Sequence, residues 1–211
     1  MAARVDYYFS LISPYAYFGH AAFLDAVREA GAEVAYRPSR IFDLFAANGG
    51  LPLGQRAPAR QRYRLIELQR WRAKRGLPLN LAPKYFPLDP GLADRCAIAL
   101  VAAGADPAAY MDAAFRALWV HDADIAVPAV LAELLTRHGF DAAPVLAAAD
   151  AAETVAAYQR NTEAAIAADL PGLPGYVLDG EPFWGQDRVE DLREALISGR
   201  APFRIGQDDR A

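Results

Sequence analysis

Cysteine is almost absent from this 211-residue chain, which contains only Cys96. A single cysteine cannot form an internal disulfide, and nothing points to an oxidising compartment. The chain also has only three histidines, and these show none of the spacings typical of metal ligands, so we predict no metal site. The formal net charge of −4 argues against general binding to nucleic acid.

Long hydrophobic runs are lacking as well. The longest, from Cys96 to Ala105, is far shorter than the roughly 20 residues that a membrane-spanning helix needs. The sequence enters a strand pattern at once and shows no basic-then-apolar leader. We therefore expect a cytoplasmic protein that does not act at a membrane. Hydrophobic residues make up 54% of the chain and charged residues 23%, which is typical of a chain that folds around a sizeable core.

The first forty residues indicate an α/β fold. A strand pattern over residues 5–12 is followed by a helical pattern over 14–30 and a second strand over 32–37. Such a βαβ unit favours two parallel strands joined by a right-handed crossover.

The predicted secondary structure changes twice along the rest of the chain. Between residues 41 and 169 only helical patterns occur, including a strongly basic helix over 58–75. A β-hairpin at Asp179-Gly180 and a final helix then restore the α/β pattern. The order of elements predicts a thioredoxin-like fold with a large all-helical insertion. The predicted limits are 1–40 plus 166–211 for the thioredoxin-like domain and 41–165 for the insertion domain.

Ser13 and Pro14 stand where the first strand gives way to the first helix. Proline suits the first helical position because its missing N–H would have no partner there, and serine before it is a favoured N-cap. The same hydroxyl would lie at the positive end of a helix and at the carboxyl edge of a strand, where it can face a ligand. The residues alone leave both roles open.

The stretch Phe9-Ser10-Leu11-Ile12-Ser13-Pro14-Tyr15-Ala16-Tyr17 resembles the strand-to-helix signature of the 2-hydroxychromene-2-carboxylate isomerases and the kappa-class glutathione transferases. Both belong to the DsbA-like branch of the thioredoxin superfamily. The resemblance continues through Asn48, Phe86-Pro87-Leu88 and residues 179–188, and it implies a glutathione cofactor. Redox relatives have C-x-x-C where this chain has Ser13-Pro14-Tyr15-Ala16, so the thiol must come from outside.

The resemblance also implies roles for individual residues. Ser13 would help to hold the glutathione sulfur as a thiolate. Six further residues would bind glutathione: Leu173 through its backbone, Pro174 as a cis proline facing the first helix, Gln186 and Asp187 at the γ-glutamyl group, Asn48 near the sulfur, and Arg60 at the glycyl carboxylate. Arg62 and Arg64 compete with Arg60 for that task. Relatives often have Thr or Ser where this chain has Gly175.

Several of these residues also have a simpler interpretation. Pro174 can be an ordinary trans proline in a turn, Asp187 can be the N-cap of the last helix, and Asn48 can merely shape a turn. Aromatic residues such as Trp71, Tyr85 and Phe86 can line a substrate pocket or belong to the core.

The implied function is a glutathione-dependent isomerase of the 2-hydroxychromene-2-carboxylate type, an enzyme of aromatic catabolism that acts on a small aromatic acid. The glutathione thiolate would add transiently, open the ring and allow bond rotation to a trans-benzylidenepyruvate. A kappa-like glutathione transferase that conjugates an electrophile is the alternative enzyme. A non-catalytic thioredoxin-fold interaction module is the alternative of another class. A homodimer is expected, since dimers are common among these relatives.

Overall fold

The structure, a computed structural model, describes residues 2–206. Its strands and helices follow in the order β1 (Arg4–Phe9), α1 (Pro14–Glu29), β2 (Glu33–Pro38), α2 (Ile41–Asn48), α3 (Pro58–Arg75), α4 (Gly91–Ala102), α5 (Ala108–Trp119), α6 (Pro128–Arg137), α7 (Ala142–Ala149), α8 (Ala152–Ala167), β3 (Gly175–Leu178), β4 (Glu181–Trp184) and α9 (Val189–Ser198). Short 3₁₀ turns occur at Leu53–Gln55 and Gln186–Arg188.

The four strands form one mixed sheet in the order β2-β1-β3-β4. β1 pairs in parallel with β2, whereas β3 is antiparallel to both β1 and β4. The predicted βαβ unit, hairpin and final helix are therefore confirmed. β1 ends earlier than predicted, because after Phe9 the chain turns sharply and the backbone N–H of Ser13 donates to the carbonyl of Ser10 at 3.0 Å.

One hydrophobic core joins the sheet to the inserted helices. Phe9 of β1 and Phe18 of α1 belong to the same buried cluster as Leu68 of α3 and Phe115 and Trp119 of α5. The thioredoxin-like fold with an all-helical insertion is thus confirmed, and the two parts share their core. The predicted domain limits stay a prediction, and the limit at residue 165 falls inside α8.

The basic helix α3 has the predicted bounds, Pro58–Arg75. Leu68 is its buried anchor, while its arginines point to solvent or toward neighbouring elements. Neither α3 nor any other helix within residues 2–206 has the length and apolar character needed to cross a membrane.

Candidate active site

A cavity of about 470 Å³ opens where β1 ends and α1 begins. Its walls come from parts of the chain that are distant in sequence. The α/β part contributes residues 12–15, 172–174 and 184–188, and the insertion contributes Ile41, Phe42, Phe45, Leu53, Arg56, Arg64 and Phe86. The predicted site residues Ser13, Leu173, Pro174, Gln186 and Asp187 all lie on this cavity.

Ser13 is the N-cap of α1, as one of its two interpretations predicted. Its Oγ accepts a hydrogen bond from the backbone N–H of Ala16 at 3.2 Å and donates one to the carbonyl of Leu173 at 3.3 Å. Ordinary O–H···O bonds are shorter, about 2.7–2.8 Å, so the bond to Leu173 is weak. The hydroxyl proton can therefore turn toward an anion in the cavity while the bond from Ala16 keeps Oγ in place.

The peptide bond between Leu173 and Pro174 is cis, as predicted. The carbonyl of Pro174 accepts a hydrogen bond of 2.9 Å from the backbone N–H of Gly185, which joins this turn to the end of β4. A second cis bond, Phe86–Pro87, also lies at the cavity. Pro174 and Ser13 both line the cavity, and the Ser13 hydroxyl contacts the carbonyl of the residue before the cis bond.

Gly175 follows the cis proline in the space next to Leu170. A Cβ atom at Gly175 would lie 2.7 Å and 2.8 Å from the two methyl carbons of Leu170, which is fully buried. A Thr or Ser side chain therefore fits here only if the side chain of Leu170 shifts. The glycine at this position is thus compatible with the packing of Leu170.

Gln186 is buried at the bottom of the turn after β4. Its Oε1 accepts hydrogen bonds from Nε and Nη2 of Arg75 at 3.2 Å and 3.1 Å, and its carbonyl oxygen accepts a third from Nη2 at 3.1 Å. Its side-chain amide nitrogen has no hydrogen-bond partner within the described residues. Gln186 lines the cavity, and its amide nitrogen is a buried donor that still needs an acceptor.

Asp187 is exposed beside Gln186, and its carboxylate pairs with Arg188 at 3.1 Å. The simpler interpretation of Asp187, as the N-cap of the last helix, is wrong. The chain makes a 3₁₀ turn over Gln186–Arg188, so α9 begins at Val189 with Arg188 at the N-cap position. The Asp187 carboxylate is therefore not committed to a helix end.

A family model described as DSBA-like thioredoxin domain matches residues 4–197. The chain belongs to this family. Over 199 residues it is 28% identical to the 2-hydroxychromene-2-carboxylate isomerase of Sphingobium xenophagum, covering 93% of this chain and all (100%) of that protein. Over 199 residues it is 27% identical to the isomerase of the same name from Pseudomonas putida, covering 91% and 93%.

Solved structures give the same assignment for this DSBA-like chain. The structure of a 2-hydroxychromene-2-carboxylate isomerase superposes with a TM-score of 0.71 at 25% identity, covering 92% of this chain and 94% of the other. The cytosolic disulfide reductase DsbM from Pseudomonas aeruginosa, also solved with GSH, shares the fold with a TM-score of 0.69 at 20% identity, covering 93% and 98%.

Two residues that were predicted to bind glutathione, Asn48 and Arg60, do not line the cavity. Asn48 is the last residue of α2, and its Nδ2 donates to the carbonyl of Leu170 at 2.7 Å. Arg60 is exposed in the first turn of α3, whereas its competitor Arg64 reaches the cavity. A glutathione contact by Asn48 or Arg60 stays a prediction. The amide of Asn48 instead links α2 to the loop before the cis proline.

Arg56 and Arg64 make one end of the cavity electropositive. The guanidinium of Arg64 lies 5.3 Å from the ring centroid of Phe86, and that of Arg56 lies 5.4 Å from the ring centroid of Phe45. Burial lowers the pKa of Arg64, and the charge of Arg56 acts in the same direction. Because neither arginine forms an ion pair within the described part of the chain, an anionic ligand would be stabilised here.

The aromatic wall of the cavity was largely missed from sequence. Phe42 and Phe45 project from α2, Phe86 closes one side, and Trp184 of β4 is 53% exposed at the opening. Phe42 and Phe45 stand three residues apart, a helical spacing that could have indicated a shared face. Trp71, which like Phe86 could have lined the pocket, instead packs against the cationic groups of Lys74 and Arg75.

Proposed function

We propose that this chain is a glutathione-dependent isomerase of the 2-hydroxychromene-2-carboxylate type, acting on a small aromatic acid. The observation that carries the proposal is the Ser13 hydroxyl, which stands at the start of α1 beside the cis Pro174 in a motif without cysteine. The relatives named 2-hydroxychromene-2-carboxylate isomerase, which match over 91% or more of this chain, support the assignment of the reaction.

The polar groups of the cavity fit glutathione. The tripeptide carries a carboxylate at each end and an ammonium at one of them. The unpartnered amide of Gln186 suits a carboxylate, the exposed Asp187 suits the ammonium, and Arg64, which also lines the cavity, suits the second carboxylate. Bound there, glutathione would supply the nucleophilic thiol for reversible addition to the substrate.

The chain itself has no thiol to offer at this site. Cys96 is fully buried in α4 and does not line the cavity. Burial raises the pKa of Cys96 to about 12, so this residue stays a thiol at neutral pH and reacts poorly. An external thiol is therefore required for thiolate chemistry.

Ser13 has the geometry to lower the pKa of that external thiol. A hydroxyl that donates to a sulfur favours its anionic form, and the N-terminus of α1 favours negative charge as well. The bond from the Ala16 N–H fixes Oγ, so only the proton has to reorient. Arg56 would hold the acid group of the substrate, while Phe42, Phe45 and Trp184 would cover its ring and exclude water.

Two measurements test the proposal. Calorimetric titration should show binding of glutathione and of S-methylglutathione, while only glutathione supports ring-opening isomerisation of 2-hydroxychromene-2-carboxylate. A folded sample that releases no heat at millimolar glutathione would refute glutathione dependence. Conjugation of a chlorinated nitrobenzene without isomerisation would assign the chain to the transferases instead.

A further inference from the structure

Arg75 reaches from the end of the inserted helix α3 to the turn that carries Gln186. Three hydrogen bonds of 3.1–3.2 Å join its guanidinium to the side-chain and main-chain oxygens of this one residue. The two residues are 111 positions apart in sequence. A planar guanidinium that binds two oxygens in this way fixes orientation as well as position.

The contact determines which way the Gln186 amide faces. With the amide turned over, its NH₂ group would meet the N–H donors of Arg75, and the hydrogen bonds to Oε1 would be lost. Arg75 therefore leaves Nε2, which has no partner in the described residues, as the uncommitted end of the side chain. Arg75 binds the neutral amide of Gln186 and forms no ion pair within the described residues. Its hydrogen bonds therefore indicate that Arg75 orients the amide.

Gly19 of α1 confines Gln186 from the opposite side. A Cβ atom at Gly19 would lie 2.7 Å from Cβ of Gln186 and 2.9 Å from the hydroxyl oxygen of Tyr176. Gln186, which is 1% exposed, is thus held between α1 and the guanidinium of Arg75. The insertion supplies one of the two supports of this turn.

We propose that Arg75 is a positioning residue for glutathione: it holds the turn of Gln186 and Asp187 so that the Gln186 amide NH₂ can donate to a ligand carboxylate. The inference rests on the proposed function, because the carboxylate is that of the bound tripeptide. Arg75 does not line the cavity and acts through Gln186.

The test compares Arg75→Met with Lys74→Met. Both changes remove one positive charge at the end of α3 and one cation over the ring of Trp71, but Lys74 is exposed and does not reach Gln186. Arg75→Met should raise the Kd and the KM for glutathione about tenfold or more, while kcat at saturating glutathione changes less than about twofold. Lys74→Met should leave Kd within about twofold of wild type.

A double substitution separates orientation from general stability. In a Gln186→Met background, the further change Arg75→Met should raise Kd clearly less than it does in wild type, because the amide that Arg75 orients is already gone and only its bond to the main-chain carbonyl of residue 186 remains. Equal Kd values for Arg75→Met and Lys74→Met would overturn the inference, as would full additivity in the double variant. If Arg75→Met does not fold, Arg75→Lys, which keeps the charge without the planar fork, is measured against the same control. Failure of the wild type to bind glutathione would instead refute the proposed function.

Discussion

The hydroxyl of Ser10 donates a hydrogen bond of 2.8 Å to the carboxylate of Asp94. The backbone N–H of Leu11 and the hydroxyl of Tyr158 donate to the same carboxylate, each at 2.8 Å. Asp94 is fully buried at the start of α4, so these contacts tie the corner before Ser13 to the inserted helices. Burial outweighs the three hydrogen bonds and raises the pKa of Asp94 to about 7.

The raised pKa predicts a particular pH dependence of stability. As pH rises from 3.8, the ordinary value, to about 7, the unfolded chain loses the Asp94 proton while the folded chain keeps it. The contribution of Asp94 to the free energy of unfolding should therefore fall with rising pH by up to ~1.4 kcal/mol per unit, and then level off. Urea unfolding of wild type and Asp94→Asn at several pH values isolates this contribution as their difference. A constant difference across that range would contradict the raised pKa.

Replacing Ser13 by alanine should separate its two roles. Loss of the cap should cost about 1 kcal/mol of stability. Glutathione should still bind, but the ultraviolet thiolate absorbance of the bound cofactor should decrease and turnover should fall about 100-fold. Asp141→Ala is the matched control, because it removes the side-chain cap of α7 away from the cavity and should leave turnover unchanged. Normal turnover in Ser13→Ala would reduce Ser13 to a helix cap.

Introducing the side chain that relatives often have at Gly175 should destabilise this chain. Gly175→Ser places a Cβ atom against Leu170 and should cost about 1–3 kcal/mol, measured by chemical unfolding. Combined with Leu170→Ala, which opens the space, the change should cost clearly less than the sum of the two single substitutions. Gly54→Ser is a suitable control because a Cβ atom there meets nothing within 4 Å. Strict additivity would show that Leu170 is not the obstacle.

Arg64 should contact the glycyl carboxylate of glutathione, since it lines the cavity and Arg60 does not. Arg64→Met should raise the Kd for glutathione about tenfold, and Arg60→Met should change it less than about twofold. The glycyl ethyl ester of glutathione lacks this charge, so its Kd should be the same for wild type and Arg64→Met. An equal loss of affinity for the ester would place the contact of Arg64 elsewhere on the ligand.

The local signals of the sequence were sufficient for most elements. Helix α3 spans Pro58–Arg75 as predicted, and Asp179-Gly180 marks the hairpin, because proline, glycine and cap residues act on their immediate neighbours. Ser13 could be identified for the same reason. The cis bond before Pro174 was expected from the resemblance, since no local pattern distinguishes it from an ordinary trans proline.

The contacts that complete the site could not be predicted in this way. Ser10 meets Asp94 across 84 positions, and Arg75 meets Gln186 across 111. Neither pair has a spacing or a motif, because the packing of the insertion on the sheet brings them together. The N-cap position moves from Asp187 to Arg188 for a related reason, since a 3₁₀ turn over Gln186–Arg188 places the start of α9 one residue later.

The division of the cavity wall between two parts of the chain has a practical consequence for redesign. The corner of Ser13 and Pro174 comes from the α/β part, whereas most of the aromatic and arginine side chains that line the cavity come from residues 41–86. Libraries confined to Phe42, Phe45 and Phe86 should therefore change the preferred ring system without altering the thiol chemistry. The same segment also contains Arg75, so under the proposed function a grafted loop or helix has to retain that one guanidinium to keep glutathione binding.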